Sequence, residues 1–281
     1  MTEDWSAATA DALAAAAGPW LTGAVAVVAG GGLSGPESGI GFATAWLLAR
    51  NGARVAILDH DAASAERAVA AILADGGEAR AFLVDLLDEA AIERALDEVV
   101  GAYGPIDVLA DSLGGGGSQS ILDVEGEVWD RVVDLNLRSA WLVIKHAARR
   151  MRDGGAMVFV SSTVAAERGP GMPYTVAKAG LEQLVVGAAT SLAPRRIRVN
   201  CVRVGMIWGA FAARGLTPER RRQRAESVLL RQEGTVWDIA QAATFLLTPP
   251  SRWVTGQVLP VDGGGAHPPA SGVAGSELAS R

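Results

Sequence analysis

The sequence predicts an α/β fold: a doubly wound, mostly parallel sheet between two layers of helices, three-layer α/β/α, in a single domain. Three observations point there. Short apolar, β-branched runs alternate with longer segments of helical period. The strand-like runs are mostly apolar, as strands buried on both faces are. Glycine-rich stretches follow several of those runs, where open α/β sheets bind ligands.

In chain order, Val25–Ala29 is the first strand-like run, and a glycine-rich turn leads from it into helical residues 42–51. Gly52 then stands where a helix C-terminal glycine is expected. Residues 54–58 and 80–84 are the next runs, each followed by a helical segment, Ala62–Ala74 and 89–102. A fourth run, 108–110, precedes a long helical stretch over 128–151, and a fifth, 157–160, precedes a helix over Tyr174–Leu192. Runs 197–202 and 257–261 complete the sheet. The irregular segments 30–38, 114–119 and 203–216 directly follow strands, so they are expected to surround the active site. Residues 1–20 read as an N-terminal extension, a short surface helix packed through Trp5 and Leu13. Glu3, Asp4 and Asp11 argue against a secretory signal. Residues 266–281 read as a flexible tail.

Composition narrows the function. Of the 281 residues 49% are hydrophobic, enough for a large core, and the formal charge of −6 disfavours nucleic acid or an anionic membrane as partner. No stretch has the apolar length of a membrane span. The expected partner is a small molecule. Cys201 is the sole cysteine, which excludes an intramolecular disulfide and fits a reducing cytoplasm. His60, His146 and His267 have no metal-ligand spacing, so no metal is expected.

The turn after the first strand reads Gly30-Gly31-Gly32-Leu33-Ser34-Gly35-Pro36-Glu37-Ser38-Gly39-Ile40-Gly41. Glycines there permit a tight turn and let the backbone and a helix N-terminus approach a pyrophosphate. Asp59 closes the second strand eighteen positions after Gly41, where a carboxylate can accept hydrogen bonds from the ribose hydroxyls of NAD and repel the phosphate of NADP. Its plainer role is to cap the helix starting near Ala62. Tyr174-Thr175-Val176-Ala177-Lys178 puts a phenol and an ammonium at i and i+4 on one helical face, close enough for the cation to lower the phenol's pKa. Ser161 and Ser162 bring hydroxyls to the end of the preceding strand.

With these motifs in this order the chain resembles the short-chain dehydrogenase/reductase family from about Leu21 to Gly264. Also matched are Asp85 in Val84-Asp85-Leu86, Asn136 in Leu135-Asn136-Leu137, Arg198-Val199-Asn200 and the stretch from Thr255 to Gly264. The resemblance implies a Rossmann-type catalytic domain over 21–265. It implies Tyr174 as general acid/base, Lys178 lowering its pKa and holding the nicotinamide ribose, Ser162 polarising the substrate oxygen with Ser161 as the fallback, and Asn136 completing a proton relay. It further implies cofactor contacts from Gly30, Gly35, Gly39, Ile40, Gly41 and Asp59, from Asp85 and Leu86 at the adenine, and from Gly114, Gly205 and the backbone of Ile207. A homotetramer or dimer built on the two long helices and the C-terminal strand is implied as well. The chain departs from the family pattern in four places: the lengthened glycine loop, which leaves open which glycine meets the pyrophosphate; Asp111-Ser112-Leu113-Gly114 for the usual Asn-Asn-Ala-Gly; Val204-Gly205 for Pro-Gly; and Gly209 where threonine is usual.

The expected function is therefore NAD(H)-dependent hydride exchange with a secondary alcohol or ketone. The alternative is a non-catalytic dinucleotide-binding sensor or scaffold. Enoyl reduction is disfavoured because relatives that perform it space tyrosine and lysine more widely. Met206, Trp208 and Phe211 suggest an apolar, cyclic or aryl-bearing substrate, with Trp208 and Phe211 touching it. Against this stand packing of those rings into the core or a subunit contact, and a charged aliphatic substrate held by an arginine from Arg214 or Arg220-Arg221-Arg222.

Overall fold

Val25–Ala29 carries no polar side chain, and all of it is buried as strand β1 at the middle of the sheet. Because side chains alternate across a strand, Val25, Val27 and Ala29 enter one core while Ala26 and Val28 enter the other. The computed structural model describes residues 19–35, 38–116, 118–166, 172–214 and 217–265.

The elements follow as α1 (Ile40–Arg50), β2 (Arg54–Asp59), α2 (Ala62–Ala74), β3 (Glu78–Leu83), α3 (Glu89–Tyr103), β4 (Ile106–Asp111) and α4 (Gly126–Val133). Then come α5 (Ser139–Arg150), β5 (Met151–Ser162), α6 (Tyr174–Leu192), β6 (Arg198–Val204), α7 (Pro218–Ser227), α8 (Val236–Leu247) and β7 (Val258–Val261). The central sheet has seven strands in the order β7-β6-β5-β4-β1-β2-β3, every neighbouring pair parallel. Helices α3, α5 and α6 bury Ile92, Leu142 and Leu181 against one face; α1, α2 and α8 bury Leu48, Ile72 and Leu246 against the other. This is a single-domain, three-layer Rossmann-type fold. Strand order reverses between β1 and β4, which opens a crevice at their carboxyl ends.

Several expectations are corrected. The single helix over 128–151 is α4 and α5 joined by a π-helical turn, Asp134–Arg138, and its last residue, Met151, opens β5. Asn136 lies in that turn, and its amide donates to the Val132 carbonyl at 2.8 Å, a side-chain bond inserted into the helical ladder. The segments 114–119 and 203–216 are not wholly irregular. Ser118–Gln119 pairs antiparallel with Met172–Pro173, and Ile207–Trp208 pairs parallel with Gly234–Thr235. Helices α7 and α8 were not anticipated. For α8 the signal existed: Thr235 and Asp238 form a capping box ahead of apolar residues Ile239, Ala240, Ala243, Leu246 and Leu247 at helical spacing. The N-terminal helix and the tail beyond Gly265 lie outside the described residues.

Candidate active site

The turn after β1 starts with Gly30 at φ +69, its N–H donating to Leu58 O at 2.8 Å. A side chain at Gly41 would overlap the Gly30 carbonyl and the Ser112 hydroxyl, so α1 packs against the loop backbone to backbone. Gly35 and Gly39 face open space. Gly39 is the N-cap of α1 and offers no side-chain bond, leaving Ile40 and the first turn without a side-chain cap. The extra length of the loop is pinned to α2: Leu33 N–H donates to Ser64 O at 2.9 Å, and Arg67 Nε donates to Leu33 O at 2.9 Å.

Asp59 ends β2 and accepts from Gly32 N–H at 2.9 Å and Asp61 N–H at 3.1 Å, with His60 Nδ1 at 3.4 Å. Capping of α2 falls to Asp61, which accepts from Ala63 and Ser64 N–H at 3.0 and 3.3 Å. The capping role open to Asp59 is thus overturned, because the helix begins one residue beyond Asp61. Asp85 is exposed and accepts from Leu87 N–H at 2.9 Å, while Leu86 is buried in the core.

On the other side of the crevice, β5 ends at Ser162 and α6 begins at Tyr174, and their side chains hydrogen-bond. Ser161 turns away, donating to Glu182 Oε1 at 2.9 Å, which Arg203 grips with bonds of 2.8 and 2.6 Å. Lys178 is buried, 3% exposed, and its Nζ donates to Val160 O at 2.9 Å and Leu113 O at 3.3 Å. Asn136 exchanges bonds with Gly115, Nδ2 to the carbonyl at 2.7 Å and Oδ1 from the N–H at 3.2 Å. A methyl at Gly114 would come within 2.8 Å of both Asn136 Oδ1 and Lys178 Nζ, so these side chains converge on one backbone position.

Burial raises the Tyr174 phenol, and the Ser162 hydrogen bond opposes that rise. Lys178 is not among the causes, which corrects the expected lowering: its ammonium lies 5.8 Å from the Tyr174 ring centroid and is committed to two carbonyls. Burial brings Lys178 itself down to about 8. Burial also pushes Asp111, at the end of β4, up to about 6. The buried Cys201 thiol is pushed up to about 12, which suits an inert core residue.

The stretch after β6 forms a wall of the crevice. Gly205 N–H donates to Val261 O at 3.2 Å, and Ile207 N–H to Gly205 O at 3.0 Å. Arg224 donates to Ile207 O at 3.3 Å, so both backbone groups of Ile207 are held within the chain. Ala210 N–H donates to Ser38 O at 3.1 Å, setting this stretch beside the glycine loop. Arg221 lies 3.7 Å over the Trp208 ring and pairs with Glu233 at 2.5 Å, while Phe211 is 62% exposed. The run Arg220-Arg221-Arg222 is therefore not wholly solvated, since Arg221 is bound down onto Trp208. Arg198 and Asn200 stitch the sheet edge, donating to Val254 O at 3.2 and 2.9 Å.

Sequence reasoning missed Gly32, which bonds Asp59, and Gly115, which holds Asn136; neither carries a signal beyond sitting in a glycine run. It named Asp111 only as a departure from a pattern. Among the described residues no cluster of histidine, cysteine or carboxylates has metal-binding arrangement, and no helix is long and apolar enough to cross a membrane.

Residues 35–266 match the family described as enoyl-(acyl carrier protein) reductase. The chain is 37% identical over 242 residues to the L-rhamnose 1-dehydrogenase (NAD(P)(+)) of Azotobacter vinelandii, covering 83% of this chain and 94% of that one. It is 33% identical over 251 residues to the 7alpha-hydroxysteroid dehydrogenase of Escherichia coli, covering 88% and 96%. The structure of a short-chain type dehydrogenase/reductase from Mycobacterium ulcerans superposes with a TM-score of 0.83 at 33% identity, covering 89% and 92%.

Proposed function

The chain belongs to the short-chain dehydrogenase/reductase family of oxidoreductases, and from that premise we propose that it exchanges a hydride between NAD(H) and a secondary alcohol or its ketone. The observation that carries this reading is the Ser162–Tyr174 hydrogen bond at the carboxyl edge of the sheet, with Lys178 one helical turn further on the same helix. Tyr174 Oη takes the proton of the alcohol during oxidation and returns it during reduction. Ser162 Oγ hydrogen-bonds the substrate oxygen, which fixes the carbonyl carbon in place. Asn136 orders the Gly114-Gly115 backbone and stands at the start of the proton relay. When bound, the nicotinamide supplies or accepts the hydride.

The residues fit such a cofactor. The first turn of α1 has no side-chain cap and opens at Gly39, which suits a pyrophosphate. Gly30, Gly35, Gly39, Ile40 and Gly41 would hold that group, Asp59 the adenosine ribose, Asp85 and Leu86 the adenine, and Gly114, Lys178 and Gly205 the nicotinamide half, whereas the Ile207 backbone expected to join them is already bonded within the chain. Preference for NAD follows from Asp59, since a carboxylate repels a 2′-phosphate and Arg67 is tied to Leu33 O and Ser64 Oγ.

The substrate we favour is mainly apolar, cyclic or aryl-bearing, resting on Trp208 and Phe211. Arg221 and Arg224 are committed to Glu233, Met206 and Ile207, which weakens the case for a substrate carboxylate. The steroid dehydrogenase relative acts on such a ring system; the sugar dehydrogenase relative speaks for a polar ring. The expected setting is the cytoplasm, as a homotetramer or dimer. Exposed Trp141 on α5 and Val176 and Val186 on α6 support self-association, which light scattering would measure. The decisive experiment compares kcat/KM with NAD and NADP across bulky cyclic and aryl alcohols, a sugar, short hydroxy acids and an enoyl thioester. NAD-linked oxidation of the bulky alcohols is the expected result. Preference for the short acids or for enoyl reduction would overturn it, and binding of NAD without turnover of anything would revive the sensor.

A further inference from the structure

Asp111 ends β4 with 4% of its surface exposed. Its Oδ1 accepts from Leu113 N–H at 2.9 Å, and its Oδ2 is buried with no hydrogen-bond partner. A buried carboxylate oxygen without a donor is costly, so some other group has to compensate it. The flanking strands place Ala29 and Phe159 beside it, both uncharged. The charge that acts on it comes from α6, the Lys178 ammonium, and the two are also joined through one residue: Leu113 gives its N–H to Asp111 and its carbonyl to Lys178.

Lys178 has the mirror problem. It is buried, and its two hydrogen-bond acceptors, the Val160 and Leu113 carbonyls, are neutral. From β6 it faces Cys201, whose thiol burial keeps protonated, and from its own helix the Tyr174 ring. Glu182 is neutralised by Arg203. Asp111 is thus the carboxylate left to balance the ammonium. We propose that Asp111 is a positioning residue, the buried counter-charge that keeps Lys178 an ammonium at neutral and mildly alkaline pH and so sets the upper pH limit of turnover. This rests on the hydride-transfer reading above for its effect on turnover, but not for its effect on Lys178.

The pH order follows from the charges. Burial leaves Asp111 ionised only above about 6 and Lys178 charged only below about 8, so the two charges coexist between those values. Below that window Lys178 is charged whether or not Asp111 is; within and above it, losing the carboxylate lets the ammonium discharge earlier.

The test uses Asp111→Asn in the full chain. Asparagine keeps an oxygen for the Leu113 N–H and removes only the charge. The chain has two lysines, Lys145 and Lys178, so amine acetylation followed by peptide mass spectrometry reads Lys178 directly, with Lys145 as internal reference. At pH near 7 the Lys178-to-Lys145 labelling ratio should rise roughly threefold or more in the variant, because the uncharged amine is what reacts. With a turned-over alcohol, the variant-to-wild-type kcat ratio should fall steadily as pH is raised from about 6 to about 8. If the asparagine chain does not fold by circular dichroism, Asp111→Ser takes its place. A labelling ratio unchanged across the pH range, with any loss of kcat equal at every pH, would overturn the proposal and leave Asp111 a purely structural group. Absence of turnover on all substrates would instead strike the hydride-transfer reading, and the labelling would still decide the role of Asp111.

Discussion

Two aspartates close strands on either side of β1, and their surroundings differ in kind. Asp59, at the end of β2, has donors on both oxygens and lies at the half-buried rim of the glycine loop. Asp111, at the end of β4, is buried with a single donor and a neighbouring ammonium. The same residue type at equivalent strand ends is thus suited to recognition, as proposed for Asp59, or to electrostatics, as proposed for Asp111. Donor supply and burial decide which. The side of the glycine loop is built from backbone N–H groups and glycines, and the side of Tyr174 and Lys178 from buried titratable side chains.

The largest effect that would sharpen this contrast is expected at Tyr174. Tyr174→Phe should lower kcat by about a hundredfold or more while NAD affinity, measured by fluorescence titration, changes little, because only the proton carrier is lost. Near-normal turnover in that variant would break the division into two halves.

Next comes the stability of Asp111→Asn against pH. Because the folded pKa of Asp111 is raised from 3.8 to about 6, the folded chain holds more protons than the unfolded chain across that interval, so wild-type stability declines as pH rises through it. Asparagine cannot titrate, so the variant should gain on the wild type from about pH 4 to about pH 6, by an amount on the order of 2–3 kcal/mol. Urea denaturation at three pH values measures it. A constant difference would place Asp111 with Asp59.

A smaller effect is expected at Asp59 itself. Asp59→Asn should raise the NADP-to-NAD ratio of kcat/KM by about tenfold through lost repulsion, with kcat on NAD nearly unchanged. The smallest belongs to the wall of the crevice. Trp208→Ala should shift the preference between bulky and small alcohols severalfold, by removing apolar surface, and leave the cofactor preference alone.

The sheet was legible because its central strands are buried on both faces. Val25–Ala29 can only be a central strand, and the helices Ala62–Ala74 and Tyr174–Leu192 were readable to their end residues from apolar spacing and flanking turns. Local sequence also suffices for Tyr174 and Lys178 to share a helical face, since that is a matter of pitch. What it could not contain were the relations between segments far apart in the chain. The bond that ties Asn136 to Gly115 joins residues twenty-one positions apart, and the choice of Ser162 over Ser161 as partner of Tyr174 depends on Glu182 and Arg203 drawing Ser161 off. The direction of the Tyr174 shift was misjudged for the same reason: spacing brings a cation near, but the depth of burial and the carbonyls of Val160 and Leu113, supplied by two other strand ends, determine what that cation does. Periodicity and turn chemistry act within a few residues and are written along the chain, whereas desolvation and charge balance are sums over everything that packs around a group and arise only when the sheet closes.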